Sequence, residues 1–421
     1  MSCGGFRNGV LWLLLVTITK CHQMGQIPYI FNQLVSFLPK DHFDRLVKKY
    51  NGNAYVKNYS CWNHLLVMIW AQLTGRRSLR DIEISLRAHS DKTYRMGIGV
   101  TVCRSNIAKA NAVRDVAIFR EFSQEMMRRA SRMSIKDETL ELIARTFHLA
   151  GFFAIDSSTV SLKLSRFTWS EPQEGSGGVK LHTMYDLMRK VPRLCNITGH
   201  EERDQTFMED YVYEPNCFYL LDRIYFKTRG MRRIDSSGAF FVTRMKRNVV
   251  YEVLANADIN GVHVLSDQTI RFTSRWASQG YPGRLRLIKY YSTEKNEVLA
   301  FVTNNFVLDA ATIALLYRFR WEIECFFKWM KQHLRIIAFY GTSANAVMIQ
   351  IYTALTAFCM LAMAADAHGY KRSLYEFSNL MSVSLTDRTH LSDLIKRSES
   401  ADPPCGIEQE PTLFDFDNLI G

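Results

Sequence analysis

Tyr317 to Lys331 reads YRFRWEIECFFKWMK, and the remainder of the chain makes most sense when ordered around it. On a helix each residue advances by about 100°. Tyr317, Arg320, Glu324 and Lys331 then fall within an arc of roughly 60°, where Lys328 and Arg335 join them. Leu315, Phe319, Ile323, Phe326, Trp329, Met330 and Leu334 occupy a separate arc that would face a core. Glu322 points toward that second arc. A lone carboxylate in a row of Arg and Lys suits a metal ligand held beside a phosphate backbone. It also suits a solvated amphipathic helix whose Glu pairs with Arg and Lys at i,i+4 spacing, and periodicity alone leaves both readings open.

Composition sets the broad class. The chain has 421 residues, 47% of them hydrophobic, which is ample for two or three domains. Lys and Arg number 53 against 41 Asp and Glu, a formal charge of +12 that points to a polyanionic partner, nucleic acid ahead of membrane. Nine cysteines without a CxxC or Cys/His cluster predict reduced thiols rather than a disulfide framework or a zinc site. Gly9 to Ile18, GVLWLLLVTI, has the character of a short signal core but no clear cleavage site. The preferred reading is a start at Met24, with an export signal as the alternative. Ala346 to Ala365 is long enough to span a bilayer, yet Gln350, Thr353 and Thr356 interrupt it, so a buried helix is expected and no membrane partner.

Residues 28 to about 147 carry helical periodicity. Pro39 stops one helix, Asp41 and Ser78 can cap others, and Tyr59 to Leu73 is strongly apolar up to Gly75. Arg76, Arg77 and Arg80 cluster at one helix start, an arrangement that can neutralise phosphates or simply form a solvated face.

The pattern changes at Gly151. FFAID, residues 152 to 156, is an apolar strand that ends in an aspartate, and FYLLD, residues 218 to 222, repeats the device. Between them KLHTMYDLM, from Lys180, reads as a further strand bearing His182 and Asp186, with His182 expected to be a structural, hydrogen-bonded residue. Phe240 to Thr243 is another strand, running into Arg244, Lys246 and Arg247. The interval from Asp222 to Glu324 holds alternating strand-like runs separated by turn signals such as Asn260-Gly261 and Pro282-Gly283, a β-rich insertion. Trp276 lies there among Arg275, Arg284 and Arg286, either stacked on an unpaired base or buried in a core.

Tyr317-x2-Arg320-x3-Glu324-x6-Lys331 resembles the Tyr–Arg–Glu–Lys signature of the insertion-sequence-four family of bacterial transposases, which belong to the DDE class. The likeness extends over about residues 30 to 365. It implies an α/β (α+β) fold: a ribonuclease H-like mixed-sheet core with a β-rich insertion, an all-helical N-terminal domain and a helical C-terminal region. The expected divisions are a leader at 1–23, a DNA-end-binding domain at 24–147, a catalytic core at 148–366 with its insertion at about 249–308, and a helical or disordered tail at 367–421. The resemblance assigns Asp156, Asp222 and Glu324 as catalytic residues that hold two Mg²⁺ or Mn²⁺ ions. Tyr317, Arg320, Lys328, Lys331, Arg244 and Lys246 would contact DNA at the catalytic core, and Arg76, Arg77 and Arg80 in the N-terminal domain. It further implies cleavage at terminal inverted repeats, strand transfer into target DNA, a homodimer in the synaptic complex, and a place in the bacterial cytoplasm with the nucleoid. Ile224 stands where the family usually has Gly, which bears on the loop after Asp222. Two alternatives remain. A resolvase-like metal nuclease on the same core would lack strand transfer, and an inactive transposase-derived DNA-binding protein would not nick DNA.

Overall fold

The structure, a computed structural model, describes residues 27–400 except 100, 101, 163–166, 168, 170–176, 200–207, 209, 210, 260, 295 and 334–338. The apolar run at Gly9–Ile18, the expected leader and the chain beyond 400 lie outside the described residues. The described residues form two compact units, one of residues up to Met126 together with those from Gln332 onward, the other of Met127–Lys331.

The first unit is helical. At its centre Cys61–Leu73 is buried along almost its whole length and packs on Ala344–Ala367. Ser60 starts the former with a capping box, its side chain accepting from Asn63 N while Asn63 returns the bond. Ser343 caps the latter, accepting from Ala346 N. Ala344–Ala367 is long and apolar enough to cross a membrane, but it is buried inside this unit. Its polar interruptions are satisfied locally: Gln350 Oε1 accepts from Tyr340 N at 2.9 Å, and the Thr353 and Thr356 hydroxyls donate to the carbonyls of Ile349 and Tyr352. Leu374–Ser384 and Leu391–Ser400 are helices of this unit, within the stretch expected to be a helical or disordered tail. Backbone bonds from Ile30 N to Asp387 O and Phe31 N to Leu385 O, each 3.0 Å, tie this end to the N-terminal helices. The grouping thus differs from a catalytic core running to 366, because the apolar faces that cover Ala344–Ala367 belong to Ile30–Val35, Cys61–Leu73, Arg104–Val113 and Leu374–Ser384.

The second unit is built on a nine-stranded mixed sheet. Its strands are β1 (Gly151–Leu162), β2 (Gly177–Asp186), β3 (Val191–Gly199), β4 (Cys217–Leu221), β5 (Phe240–Arg244), β6 (Tyr251–Asn256), β7 (Val264–Phe272), β8 (Leu285–Ser292) and β9 (Glu297–Thr303). They lie in the order β3-β2-β1-β4-β5-β9-β8-β7-β6. β1, β4 and β5 are parallel, and every other pairing is antiparallel. Where they pair in parallel, Gly151–Ile155 of β1, β4 and the middle of β5 are buried on both faces and read as apolar runs, as a covered parallel sheet requires. The inserted strands do not form a separate body. β9 pairs with β5, so β9, β8, β7 and β6 extend the core sheet itself. Glu138–Phe147, expected with the N-terminal helices, belongs here: its cap Asp137 and the preceding Lys136 bond through their backbone N–H groups to Met188 O.

Candidate active site

Strand register brings the two aspartates together. β1 and β4 run parallel with Ile155 opposite Leu221, so the next residues, Asp156 and Asp222, stand side by side on neighbouring strands about 4.8 Å apart. β4 and β5 are parallel with Leu221 opposite Thr243, which sets Arg244 beside Asp222 in turn. The C-terminal end of the parallel pairing therefore presents Asp156, Asp222 and Arg244 in a row. Asp222 caps a 3-10 turn, Arg223–Tyr225, accepting from Ile224 N at 3.3 Å. This turn keeps a right-handed backbone, so Ile224 fits without the freedom of a glycine. Asp222, Arg223, Ile224, Arg244 and Lys246 line an open cleft of about 390 Å³. Arg223 is the member that the sequence reading passed over, although it directly follows Asp222.

The third acid arrives from a helix. The Tyr317–Lys331 stretch is two helices, Ala310–Arg318 and Trp321–His333, broken at Phe319–Arg320, where the continuous wheel expected one. The break resets the register. Leu315, expected in the core, is exposed, and Tyr317 is buried with its ring 4.8 Å from that of Phe301. Tyr317 thus packs in the interior, with its hydroxyl buried from solvent. Past the break the expected face holds: Ile323, Phe326 and Met330 are buried, Lys328 is exposed, and Glu324 and Lys331 are half-buried.

Arg320 lies in the break and links the acids. Its Nη2 donates to Glu324 Oε1 at 2.5 Å, and its Nη1 is 3.6 Å from Asp156 Oδ2. Asp156 Oδ1 also accepts from Ser157 N at 2.8 Å. Burial is the main reason that the Asp156 carboxyl is pushed up to about 7, and the charges of Asp222 and Glu324 add to the rise against Ser157 N–H and Arg320. Burial alone would lower the pKa of Arg320, but Tyr317, Glu324 and Asp156 outweigh it and raise it. Tyr317 itself is pushed up to about 12, first by burial. Lys331 is lowered by burial.

Glu322 has a different environment. It is buried, with Oε1 3.7 Å from Lys190 Nζ, and Lys190 is also 3.7 Å from Asp137. Burial raises its pKa against the pull of Lys190. His182 is buried with Nε2 2.9 Å from Thr198 Oγ1, a structural placement, and Asp186 accepts from Arg189 N in the β2–β3 turn.

Three acids with oxygen donors suit a hard divalent cation. Among the described residues no three carboxylate, imidazole or thiol groups surround a common point closely enough to hold an ion as they stand. The Arg320 guanidinium supplies the positive charge between Asp156 and Glu324, so the donor set matches a cation in chemistry. Trp276 is 78% exposed on Arg275–Gly280, which removes the core reading. Arg286, one of the arginines near it in sequence, is committed to Asp267 through bonds of 2.8 and 2.6 Å. In the helical unit Arg77 and Arg80 are exposed, while Arg76 Nε donates to Thr74 O at 3.0 Å.

The family described as Transposase DDE domain matches residues 148–360, and a domain of unknown function matches residues 28–99. A Sinorhizobium fredii protein named as a transposase is 30% identical over 303 residues, covering 70% of this chain and 81% of that protein. A Synechocystis protein named as the transposase of an insertion sequence element is 26% identical over 328 residues, covering 76% of this chain and 87% of that protein. A solved piggyBac transposase synaptic complex with hairpin DNA covers 91% of this chain and 83% of that one, at a TM-score of 0.45 and 11% identity. With Asp156 and Glu324 both paired to Arg320 and Asp222 following from the strand beside Asp156, all inside the matched region, this chain belongs to the DDE transposases of bacterial insertion sequences.

Proposed function

We propose that the protein cuts DNA at the terminal inverted repeats of an insertion sequence and joins the freed ends to target DNA, with Asp156, Asp222 and Glu324 as its metal ligands. The single observation that carries this reading is the convergence of the three acids, two from parallel strand register and one through Arg320. The DDE family is divalent-metal dependent, and the finer reading is two Mg²⁺ or Mn²⁺ ions. When bound, such ions would activate the attacking oxygen and stabilise the leaving 3′-oxygen.

The chain's own residues do the rest. Asp156, within β1, and Asp222, just past β4, would hold their oxygens where the parallel pairing of these central strands ends. Arg244 and Lys246, in the cleft beside Asp222, would position the scissile strand through its phosphates. Exposed Lys328, one turn beyond Glu324, and half-buried Lys331 extend that basic path. Arg77 and Arg80 on the helical unit would engage the repeat, with Arg76 contributing from its half-buried position. Exposed Trp276 is suited to stack on an unpaired base. Two copies would synapse the two element ends, working in the bacterial cytoplasm at the nucleoid.

The test is nicking of a duplex carrying the inverted repeats that flank the gene. Mg²⁺-dependent 3′-hydroxyl ends are expected from the wild type. Asp156→Ala, Asp222→Ala and Glu324→Ala should bind the duplex and leave it intact, and an Asp156→Ala protein that still nicks would sink the assignment.

A further inference from the structure

Arg320 makes two contacts that compete with metal for the same carboxylates. Glu324 Oε1 accepts its Nη2, and Asp156 Oδ2 faces its Nη1. These are oxygens of two of the three proposed ligands, and an oxygen directed at a guanidinium N–H is not free to coordinate an ion at full strength. The side chain is held in place, only 14% exposed, with its guanidinium 5.8 Å from the centre of the Tyr317 ring. Its Nε is buried without an acceptor, so its hydrogen bonds are incomplete where it lies. A planar fork in this position balances carboxylates that would otherwise repel one another across a partly buried site.

We propose that Arg320 is the resident counter-cation of the metal-free site, and that it must leave the carboxylates for metal to load and then becomes available to a DNA phosphate. This rests on the reading of Asp156, Asp222 and Glu324 as metal ligands. Two arrangements follow. In one, Arg320 spans Asp156 and Glu324, blocks the ion and is withheld from DNA. In the other, the guanidinium is turned away, the carboxylates are open and the fork is free for a phosphate. Metal and DNA both favour the second arrangement, so each must strengthen the other's binding by the same factor. The protein is thereby kept from assembling a loaded site away from DNA. Arg320 acts here as a positioning residue: it touches the ligands, not the reacting atoms.

Calorimetry of the full chain with Mn²⁺ alone tests the first half. Arg320→Gln removes the competitor and should bind Mn²⁺ more tightly than the wild type, by about tenfold within the 5- to 150-fold range typical of such couplings. Arg318→Gln, which removes an exposed charge two residues away that pairs with Glu294, should change Mn²⁺ affinity far less. Arg320→Lys, which keeps the charge without the fork, should fall between the wild type and Arg320→Gln. The second half is read first in the wild type, whose response needs no variant. Ca²⁺ should tighten binding of a fluorescent duplex carrying the repeat, and Arg320→Gln should lose most of that gain. A wild type that binds Mn²⁺, with an Arg320→Gln protein that binds it equally or more weakly, overturns the inference and leaves the metal reading intact. So does duplex binding by the wild type that is indifferent to Ca²⁺. If neither wild type nor variant binds Mn²⁺, the metal reading falls and this inference falls with it.

Discussion

Glu322 and Glu324 stand two positions apart on one helix, turned about 200° from each other, and they meet opposite partners. Glu324 reaches Arg320 and the acid cluster, whereas Glu322 is buried against Lys190, which also faces Asp137. Glu324→Gln should therefore lose cleavage by several orders of magnitude while the fold persists. Glu322→Gln should keep measurable turnover and lower stability by on the order of 1–3 kcal/mol, the scale of removing one partner of a buried polar contact, as a thermal melt would show. That Glu322 avoids the cationic face was legible from helical spacing. Its partner was not, because Lys190 is brought in by the β2–β3 turn, far away in the chain. Tyr317 was misplaced for a local reason: a wheel assumes an unbroken helix, and nothing in Arg318-Phe319-Arg320 is a Pro or Gly that would announce the break.

The strand-then-aspartate pattern could be read directly, since an apolar run of five residues ending in an acid has few other structural uses, and it fixed the places of Asp156 and Asp222 before any pairing was known. Pairing itself is a relation between distant strands, so the sequence showed that the insertion was β-rich without showing that β9 would join β5. The Arg286–Asp267 pair has the same origin. Adjacent strands β8 and β7 bury it, with side chains 11% and 6% exposed, and Arg286 also donates to Leu308 O and Asn305 O. Asp267→Ala leaves that guanidinium without its acid and should cost about 3–5 kcal/mol, as breaking a buried pair does. For a unit of this size the melting temperature should fall by roughly ten degrees. An unchanged melt would mean that the pair contributes nothing to holding the inserted strands.

The helical unit joins both ends of the described chain, a closure that periodicity cannot reveal. A fragment of residues 24–147 lacks Ala344–Ala367 and so exposes the apolar side of Cys61–Leu73. We expect it to aggregate or melt without a cooperative transition in circular dichroism, whereas the full chain melts cooperatively. The interior of this unit also sets an acid limit. Burial, with help from Arg114, lowers the pKa of His64 from 6.5 to about 3 against the Asn111 hydrogen bond. The unfolded chain then takes up the proton first. The contribution is fully present above about pH 6.5 and declines as pH falls toward 3, so His64→Gln should flatten the dependence of melting temperature on pH across that window. The acids gathered where the parallel pairing of β1 and β4 ends are proposed to hold metal in a DNA-cutting enzyme. Exchanging Asp222 for Cys in the full chain and measuring nicking of the repeat duplex in Mg²⁺ and in Mn²⁺ tests this most directly, because a thiolate is a poor ligand for Mg²⁺ and a better one for Mn²⁺. Asp222→Cys should be inactive in Mg²⁺ and regain nicking in Mn²⁺. Equal activity in the two metals would show that Asp222 is not a ligand, contradicting the account.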